Sequence, residues 1–518
     1  MPLTNPYPMG VWDDELKTDG SVPISGINNS IPPSAIDKAQ ATDGENRLTQ
    51  LDGLNRPRPG IVRLAQSAAG TLDSVHHVGN GLFLANSGPN WYTWDNRAGV
   101  WTTVSGGPAF GVGAQVYSTL ANSSLYFSNG GTLNKYLPGT GFSVISVPSQ
   151  YPTVLYPVWM VYRLIYVYQN NLIVSDALNP EHVDVITGSV TIDPITTDVI
   201  TGQALWKDQK IAVFRNGSTW LVETGPGLDV PNWAVNRVSA TVGCRCHGTI
   251  IQAGNDVLFL SETGRGVYAL GQAPTSDEEG VWLPVSQPVQ GYIDRINWAA
   301  CDQARATYWN DLYILSVPLD NSAYNNFMLI YSVTLQQWQG LWCFDIAGSD
   351  VAARDFARDR TDSNHTVLLV ATRDGVLSRM TYPVERRYYD QNIDLSQQVY
   401  NSFLVSRAFT FGEDINQIRP HSARFQFLES EDPVTITAIA DRQAQVSKRD
   451  VATNTSILSL TIPGFPFDLD TAGYKIQPIG LLKTGICTEL QFRLEGTGNW
   501  TLYQILASAF ESHPLVVT

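Results

Sequence analysis

A recurring pair of short apolar segments constrains the fold of this chain more than any other feature. In its clearest copy, Ile211–Phe214 and Ser218–Val222 flank Arg215-Asn216-Gly217, a turn sequence that tolerates positive φ. The β-branched and aromatic residues on both sides predict a hairpin. Roughly 45 residues later the pattern returns as Val257–Leu260 and Val267–Leu270, and this spacing is the length of one four-stranded propeller blade.

Further copies of the pattern occur in both directions along the chain. One residue from the first segment of each copy marks the repeat: Phe83, Tyr126, Tyr166, Val213, Phe259, Ile314 and Leu369. Consecutive residue numbers in this series differ by 43, 40, 47, 46, 55 and 55. A ring of blades explains so even a step, because each blade buries both faces against its neighbours. A chain of unrelated β-sandwich domains is the alternative.

The sequence therefore predicts an all-β protein with three parts. Residues 61–385 are predicted to form a six- or seven-bladed β-propeller. Residues 1–60 are predicted to be an extended N-terminal arm, and residues 386–518 a separate β-sandwich or small-barrel platform domain. The chain of 518 residues is long enough for two or three domains with large cores.

The predicted arm is rich in proline, which breaks helices and strands and prevents the arm from building its own core. Disorder is one interpretation, and an arm lying along another domain or a neighbouring subunit is the other. The second is favoured by spaced apolar residues that could act as anchors: Ile27, Ile31, Ile36, Leu48, Leu51, Leu54 and Ile61.

The predicted platform domain has short strands separated by turn residues. The strands are expected at Phe409–Phe411, Ala423–Leu428, Val434–Ile439, Ser456–Ile462 and Leu490–Leu494. Two longer segments interrupt the blade pattern of the propeller. Asp176–Gln203 is predicted to be a projecting hairpin, and the mixed-charge segment Asp350–Asn364 a solvated surface loop; either could be a contact in an assembly.

Charge and cysteine content narrow the classes of function. A net charge of −15 argues against an extended surface that grips phosphates, although DNA could still slide past such a surface without sticking. Residues 1–20 lack the basic start and apolar core of a secretory signal, and no apolar run is long enough to span a bilayer. Five cysteines cannot all pair within one chain, so we expect free thiols and assembly in the cytoplasm.

Candidate metal and catalytic sites are few. Cys244-Arg245-Cys246-His247 could supply three zinc ligands, but we expect a strand here, and no second cysteine pair is nearby to complete a tetrahedron. The neighbouring His76 and His77 are expected on opposite faces of a strand rather than as a chelating pair. We therefore predict no metal site and no cofactor.

No motif of a known catalytic class is present, so we predict a protein that is not an enzyme and assign no catalytic residues. Gly217-Ser218-Thr219-Trp220 resembles the end of a sialidase Asp-box, but Val213 and Arg215 occupy positions where that motif needs Ser and Asp. The many tryptophans are explained by packing between blades, although a sugar-binding platform would use the same residue type.

The order of these features resembles the tail hub, or nozzle, proteins of short-tailed bacteriophages, which are also called tail accessory or packaged-DNA stabilisation proteins. The likeness covers roughly residues 60–500 in pattern and order. Ser175–His182 is also similar to a Ser…Pro-Glu-aromatic segment of such proteins. The similar segments are Ala204–Asp208 with Ile211–Glu223, Gly243–Ile251 with Val257–Leu270 and Pro284–Ile296, and Tyr308–Leu319 with Tyr331 and Gln337-Trp338.

The resemblance implies a homo-hexameric ring in the virion tail, below the portal and adaptor proteins. It also implies a tail needle or plug beneath the ring, tailspikes or fibres beside it, and DNA passing through the lumen without sequence-specific binding. The hypothesis is a structural virion protein that retains packaged DNA and conducts it during ejection. The alternatives are a receptor-binding or glycan-processing propeller of the tail and a cellular propeller scaffold.

Overall fold

The computed structural model of the chain consists almost entirely of β-strands, and the all-β prediction is confirmed. All structural statements here refer to the residues that the structure describes. These are residues 11–12, 16–50, 52, 54–66, 71–195, 198–207, 209–224, 229–274, 281–346, 349–360, 366–382, 385, 388–411, 417–430, 434–441, 443–444, 449–451, 475–481 and 487–513. The predicted strand Ser456–Ile462 and the predicted anchor Leu51 lie outside them.

Four complete antiparallel meanders form the first four blades of a propeller. Each blade begins with its innermost strand, which we call the inner strand. Blade 1 is Ser74–Gly79, Leu82–Ser87, Asn90–Asp95 and Val100–Val104; blade 2 is Tyr117–Ala121, Ser124–Ser128, Asn134–Leu137 and Gly141–Val144; blade 3 is Leu155–Met160, Arg163–Tyr168, Asn171–Val174 and Ser189–Thr191; blade 4 is Ile200–Trp206, Lys210–Arg215, Thr219–Glu223 and Ala234–Ser239.

Blades 5 to 7 complete the ring. Blade 5 has three strands, and blade 7 takes its fourth strand, Ile61–Gln66, from the start of the predicted propeller region, so that the two ends of the ring are joined. Blade 5 is Ile251–Ala253, Asp256–Ser261 and Gly266–Ala269; blade 6 is Arg305–Trp309, Leu312–Val317, Phe327–Ser332 and Gln337–Trp342; blade 7 is Asp355–Arg360, Thr366–Ala371, Val376–Met380 and Ile61–Gln66.

The inner strands contact one another in sequence around the ring, and the inner strand of blade 7 contacts that of blade 1. The propeller therefore has seven blades. The seven residues that marked the repeat all lie on the second strand of their blades, and each is at most 1% exposed. The second strand of each blade is buried on both faces, so its residues form a nearly continuous hydrophobic run. This explains why the second strand carries the strongest sequence signal.

Seven apolar clusters fill the wedges between neighbouring blades. Trp91 of blade 1 packs among aromatic rings that include Phe127 of blade 2, with ring centroids 5.0 Å apart. Trp309 and Trp342 of blade 6 lie in the wedge shared with blade 7. Packing between blades thus accounts for these tryptophans, since each large ring fills space that smaller side chains would leave empty.

Two sheets packed face to face form the predicted β-sandwich. Along a strand such as Val434–Ala440, buried residues that face the other sheet alternate with less buried residues that face outward. The inner faces also supply buried rings such as Phe425 and Phe492. One sheet contains Ala41–Glu45, Asn401–Ser406, Leu490–Thr497, Val434–Ala440, Gln443–Ala444 and Arg449–Val451; the other contains Arg47–Thr49, Asn55–Pro57, Trp500–His513, Gln417–Ser430, Lys475–Gly480, Lys17–Ser21 and Val11–Trp12.

Short elements complete the chain between these sheets. Two pairs of short strands, Phe344–Ile346 with Ser349–Val351 and Asp390–Gln391 with Gln397–Gln398, flank blade 7 along the chain. The described part of the chain has one α-helix, Gln290–Ile293, and the 3₁₀ helices Val230–Asn232, His247–Thr249, Leu270–Gln272, Gln287–Val289 and Trp298–Gln303.

The N-terminal arm contributes strands to the sandwich of its own chain. Its predicted anchors Ile27, Ile36, Leu48 and Ile61 are buried, whereas Ile31 is 43% exposed, so that part of the prediction was wrong. Backbone hydrogen bonds to the strands of the sandwich hold the arm in place, because the proline-rich arm cannot build a core of its own.

The last strand of blade 6 joins the sandwich through the arm, because Leu341 pairs in parallel with Glu45. Two glycines make this junction possible. Gly340 has φ +98° and Gly26 has φ +79°, and a Cβ at either would lie against a backbone carbonyl, that of Gly44 or of Trp338. One continuous sheet therefore runs from the propeller into the sandwich.

Replacing Gly340 by alanine is expected to lower the free energy of unfolding by about 2–4 kcal/mol, because left-handed backbone strain adds to the clash with Gly44. Gly99 is the matched control. Its φ is +66° with nothing near a Cβ, so Gly99→Ala should cost only about 1 kcal/mol. Equal costs for the two variants in urea unfolding would contradict a tight junction.

Two local predictions differ from the structure. Asp176–Gln203 is not a projecting hairpin, because Ser189–Thr191 is the fourth strand of blade 3 and Ile200–Trp206 is the inner strand of blade 4. The hairpin at Arg215-Asn216-Gly217 is confirmed, but Gly217 does not use a left-handed φ. Instead, the Arg215 N–H donates to the carbonyl of Ser218 at 2.9 Å to close the turn.

Candidate functional site

Polar and aromatic side chains meet where the seven inner strands surround the axis of the propeller. Each blade supplies one residue, and the contribution of blade 5 comes from the 3₁₀ helix His247–Thr249 that precedes its inner strand. We call this set the axial cluster. It consists of His76, Tyr117, Tyr156, Gln203, His247, Arg305 and Asp355, in the order of blades 1 to 7.

Aromatic rings form one side of the axial cluster. The His247 ring lies 4.1 Å from Tyr156 and 4.8 Å from Tyr117, between ring centroids, and the two tyrosines are also 4.8 Å apart. Burial raises the pKa of both tyrosine hydroxyls. The Tyr117–Tyr156 and Tyr117–His247 pairs pack edge to face, and the Tyr156 and His247 rings are tilted by 31°, so these three side chains fill their side of the axis.

An ion pair forms the other side. Arg305 Nε lies 3.8 Å from the Asp355 carboxylate, which also accepts a 2.8 Å hydrogen bond from the Val75 N–H of blade 1. Burial raises the pKa of Asp355 despite this guanidinium. The neighbouring Asp73 is paired in the same way, 2.7 Å from Arg354. Each carboxylate is therefore held by a cation from an adjacent part of the ring.

The position of Asp355 corrects the prediction for Asp350–Asn364. Residues 355–360 are not a solvated loop but the inner strand of blade 7, and Asp359 is buried. Residues 361–365 lie outside the described part. The alternation Asp355-Phe-Ala357-Arg-Asp359 and its place one strand before Leu369 were the signals that could have identified an inner strand with polar residues on one face.

His76 is held between two hydroxyls. Its Nε2 lies 2.7 Å from Ser74 Oγ, and its Nδ1 lies 2.9 Å from Ser118 Oγ on the inner strand of blade 2. Burial and the positive charge of Arg305 lower the pKa of His76 to about 3. The imidazole is therefore neutral in the folded protein at physiological pH.

His77 lies on the opposite face of the same strand, as predicted. Its Nε2 is 2.8 Å from the Asp359 carboxylate, and its ring packs on Phe83. The two histidines thus contact different groups on opposite faces of this strand and do not form a chelating pair.

Two atoms of the axial cluster are buried without a hydrogen-bond partner: Gln203 Oε1 and His247 Nδ1. The amide nitrogen of Gln203 donates to the carbonyls of Tyr156, at 2.5 Å, and Ile165, at 3.2 Å. Burial and Arg305 lower the pKa of His247 to about 3, so this ring is also neutral and can accept a hydrogen bond. These atoms are the unsatisfied polar groups of the cluster.

The residues near the Asp-box-like sequence have structural partners. Trp220 Nε1 donates to Ser218 Oγ at 3.0 Å, and Thr219 Oγ1 donates to the Val242 carbonyl at 2.8 Å. Glycoside hydrolysis needs two carboxylates across a sugar. Asp73 and Asp355 are each paired with an arginine, at 2.7 Å from Arg354 and 3.8 Å from Arg305.

A more open pocket lies at the outer edge of blade 7, with a volume of about 460 Å³. It contains two carboxylates, but Asp374 is paired with Arg63, and Asp394 accepts hydrogen bonds from Ser396. The lining residues are Arg63, Asp374, Val376, Asn392, Ile393 and Asp394.

The cysteine cluster differs from its prediction. Cys244 and Cys246 do not lie on a strand but in the connection before the 3₁₀ helix His247–Thr249. The structure brings in a third cysteine from beyond blade 5: Cys301 Sγ lies 2.8 Å from Cys246 Sγ. The Asp302 carboxylate completes a group of three possible metal ligands. Sequence spacing could not reveal this, because 55 residues separate the two thiols.

Comparisons with known proteins gave similar solved structures but no family. No protein-family model and no curated protein matches the chain. Among solved structures, it is similar to the WD40 β-propeller domain of Doa1 (TM-score 0.39, 9% identity, 62% of this chain and 97% of that one) and to a chain of the mitotic checkpoint complex (0.39, 12%, 63% and 93%). It is also similar to the extracellular domain of the putative hybrid two-component system BT3049 from B. thetaiotaomicron (0.38, 12%, 60% and 40%).

These similarities concern the β-propeller fold alone. Among the described residues, no helix combines the length and apolar character needed to cross a membrane.

Proposed function

We propose that this protein is a structural component of a short-tailed bacteriophage tail. In this proposal six copies form a nozzle ring below the portal and adaptor, and the ring retains packaged DNA and conducts it during ejection. A tail needle or plug and tailspikes or fibres would be its other partners. The observation that carries the proposal is the single sheet that runs from blade 6 through Ala41–Glu45 into the sandwich, because it makes arm, propeller and platform one framework.

A continuous framework suits a ring under mechanical force, since force on the platform passes through backbone hydrogen bonds to the propeller. The packed axial cluster adds a geometric constraint. The rings of Tyr117, Tyr156 and His247 lie only 4.1 to 4.8 Å apart between centroids, which leaves no room for a DNA duplex to pass between them. DNA would therefore pass through a channel between subunits, and the acidic charge of the chain would keep phosphates from adhering to its wall.

The experiment that tests the proposal is electron microscopy of the source particle with this chain labelled, together with particles that lack it. We expect the label on the tail axis with six-fold symmetry, and DNA leakage from particles without the chain. Peripheral label with DNA retained would reject the proposal and favour the receptor-binding alternative, for which the pocket at Arg63 and Asp374 would be the first place to look.

Apolar side chains at the outer edge of blade 3 provide a test of assembly. Ile186 and Ile195 are each 90% exposed and flank the outermost strand Ser189–Thr191. Replacing both by aspartate is expected to reduce incorporation into particles at least tenfold while leaving monomer unfolding unchanged, because only a neighbouring subunit would cover them. Val112→Asp is the control for added surface charge, because the Val112 side chain is 81% exposed on a different loop. Normal incorporation of the double variant would exclude this edge from the ring contact.

A further inference from the structure

The thiols of Cys246 and Cys301 meet at the inner ends of two loops that flank blade 5. Cys246 ends the connection from blade 4, and Cys301 lies in the 3₁₀ helix Trp298–Gln303 just before blade 6. Both cysteines are at most 4% exposed, and their sulfurs are 2.8 Å apart. In the described part of the chain, blade 5 consists of three strands, and these two loops precede its first strand and follow its last.

A carboxylate stands beside the two sulfurs. The donor atoms of Cys246, Cys301 and Asp302 all lie within 4.8 Å of one another. Arg245 holds the carboxylate from the other side, with Nη2 3.0 Å from Asp302 Oδ2, and reaches Glu262 at 3.3 Å through Nη1. A cation behind a ligating carboxylate is the kind of outer contact that fixes the orientation of a metal ligand.

We propose that Cys246, Cys301 and Asp302 bind one divalent metal ion that prefers thiolate ligands, such as Zn²⁺. Two thiolates and one carboxylate supply three of the four positions of a tetrahedral ion, and water from the exposed side of Asp302 supplies the fourth. The two thiols release their protons when the ion binds, so the step needs no oxidant or reductant. The two thiolates and the carboxylate carry three negative charges, and the ion carries two positive charges. The guanidinium of Arg245 balances the one negative charge that remains.

The geometry needs a small adjustment to accept the ion. Two sulfurs that are each about 2.3 Å from a tetrahedral zinc stand roughly 3.8 Å apart, so the pair must open by about 1 Å. Cys246 lies in a loop and Cys301 in a 3₁₀ helix, so such a movement does not break sheet hydrogen bonds. A disulfide would use the same two sulfurs but would give no role to the Asp302 carboxylate or to its orientation by Arg245.

Cobalt titration tests the site on the full chain, reduced with a phosphine and stripped with a chelator. We expect one equivalent of Co²⁺ to produce a thiolate-to-metal absorption band, and one equivalent of Zn²⁺ to remove it. Cys246→Ser and Cys301→Ser should lose the band, and Asp302→Asn, which removes a direct ligand, should weaken binding by at least the roughly 10- to 100-fold that loss of an outer contact costs. Cys487→Ser is the control, because this buried thiol lies in the sandwich and should leave the titration unchanged.

Three results would overturn the proposal. One is a folded, reduced wild-type chain that gives no thiolate band with Co²⁺. Another is a band that persists in Cys301→Ser. If the untreated chain has three rather than five titratable thiols on denaturation and reduction does not restore Co²⁺ binding, the pair is a disulfide and no metal site exists. Zn²⁺ should raise the unfolding temperature of the wild type but not that of Cys301→Ser, a readout independent of colour.

Discussion

Replacing Arg58 by methionine is expected to lower the free energy of unfolding by about 3–5 kcal/mol, because it leaves a buried carboxylate without its cation. Arg58 is 0% exposed and binds Asp390 through two hydrogen bonds, Nη1–Oδ1 at 3.0 Å and Nη2–Oδ2 at 2.7 Å. Its guanidinium also lies 3.8 Å from the centre of the Tyr400 ring. Urea unfolding followed by tryptophan fluorescence measures the loss.

The effect is large because this pair joins the three parts of the fold. Arg58 belongs to the arm, and Asp390 follows blade 7 and also accepts the N–H of Ile61 at 2.9 Å. Ile61 begins the strand that closes the ring. Loss of the guanidinium therefore leaves the Asp390 carboxylate without its cation. It also weakens the contact of Asp390 with the strand that closes the propeller.

Two further variants distinguish an ion-pair effect from lost packing. Arg58→Met combined with Asp390→Asn should be more stable than Arg58→Met alone, since no buried charge is left unpaired. Arg295→Met is the control for a solvated pair: Arg295 and Asp320 are bonded at 2.9 and 2.6 Å but are 40% and 52% exposed, so we expect a change below about 1 kcal/mol. A similar change for Arg58→Met would contradict the buried-pair argument.

The propeller was predictable because its second strands are hydrophobic on both faces. Phe83 and Leu369 sit in such strands, and local sequence alone carries that signal. The inner strands were less visible because their polar residues face partners from other blades. Asp355 looked like part of a solvated charge run until Arg305 and Val75, both distant in sequence, were brought beside it.

The arm and the thiol pair show the same limit. The burial of Ile27 and Leu48 followed from their apolar character, but the sheets that cover them could not be identified from sequence, since strand pairing between residues 41–45 and 401–406 depends on the closed ring. The contact of Cys246 with Cys301 was not visible in the sequence because 55 residues, including blade 5, separate them. Long-range pairing, rather than local propensity, determines both features.

Stability is expected to fall in acid because of His76. Its pKa is about 3 in the folded protein and about 6.5 in the unfolded chain, so between these values only the unfolded chain takes up a proton. The contribution of the neutral imidazole is fully present above pH 6.5 and is lost as the pH falls towards 3, at about 1.4 kcal/mol per pH unit. From pH 7 to pH 4 this loss is about 3 kcal/mol.

Comparison with His76→Gln isolates this contribution, because the carboxylates titrate alike in both proteins. Glutamine keeps a polar side chain between Ser74 and Ser118 but carries no titratable group. The variant should be less stable than the wild type at pH 7, and the difference should shift by about 3 kcal/mol in its favour at pH 4. His182→Gln, whose side chain is 63% exposed, should keep the wild-type pH dependence.

The pH profile also tests the order of the axial cluster. Arg305 repels a proton on His76, and Asp355 beside it is the nearest group that could offset this charge. If His76→Gln retains the full acid dependence, protonation of His76 does not drive the loss, and His247, which has a similarly lowered pKa, is the next group to replace. If the loss of stability from pH 7 to pH 4 is smaller by about 3 kcal/mol in the variant, the neutral imidazole between the two serines contributes that share of the acid sensitivity.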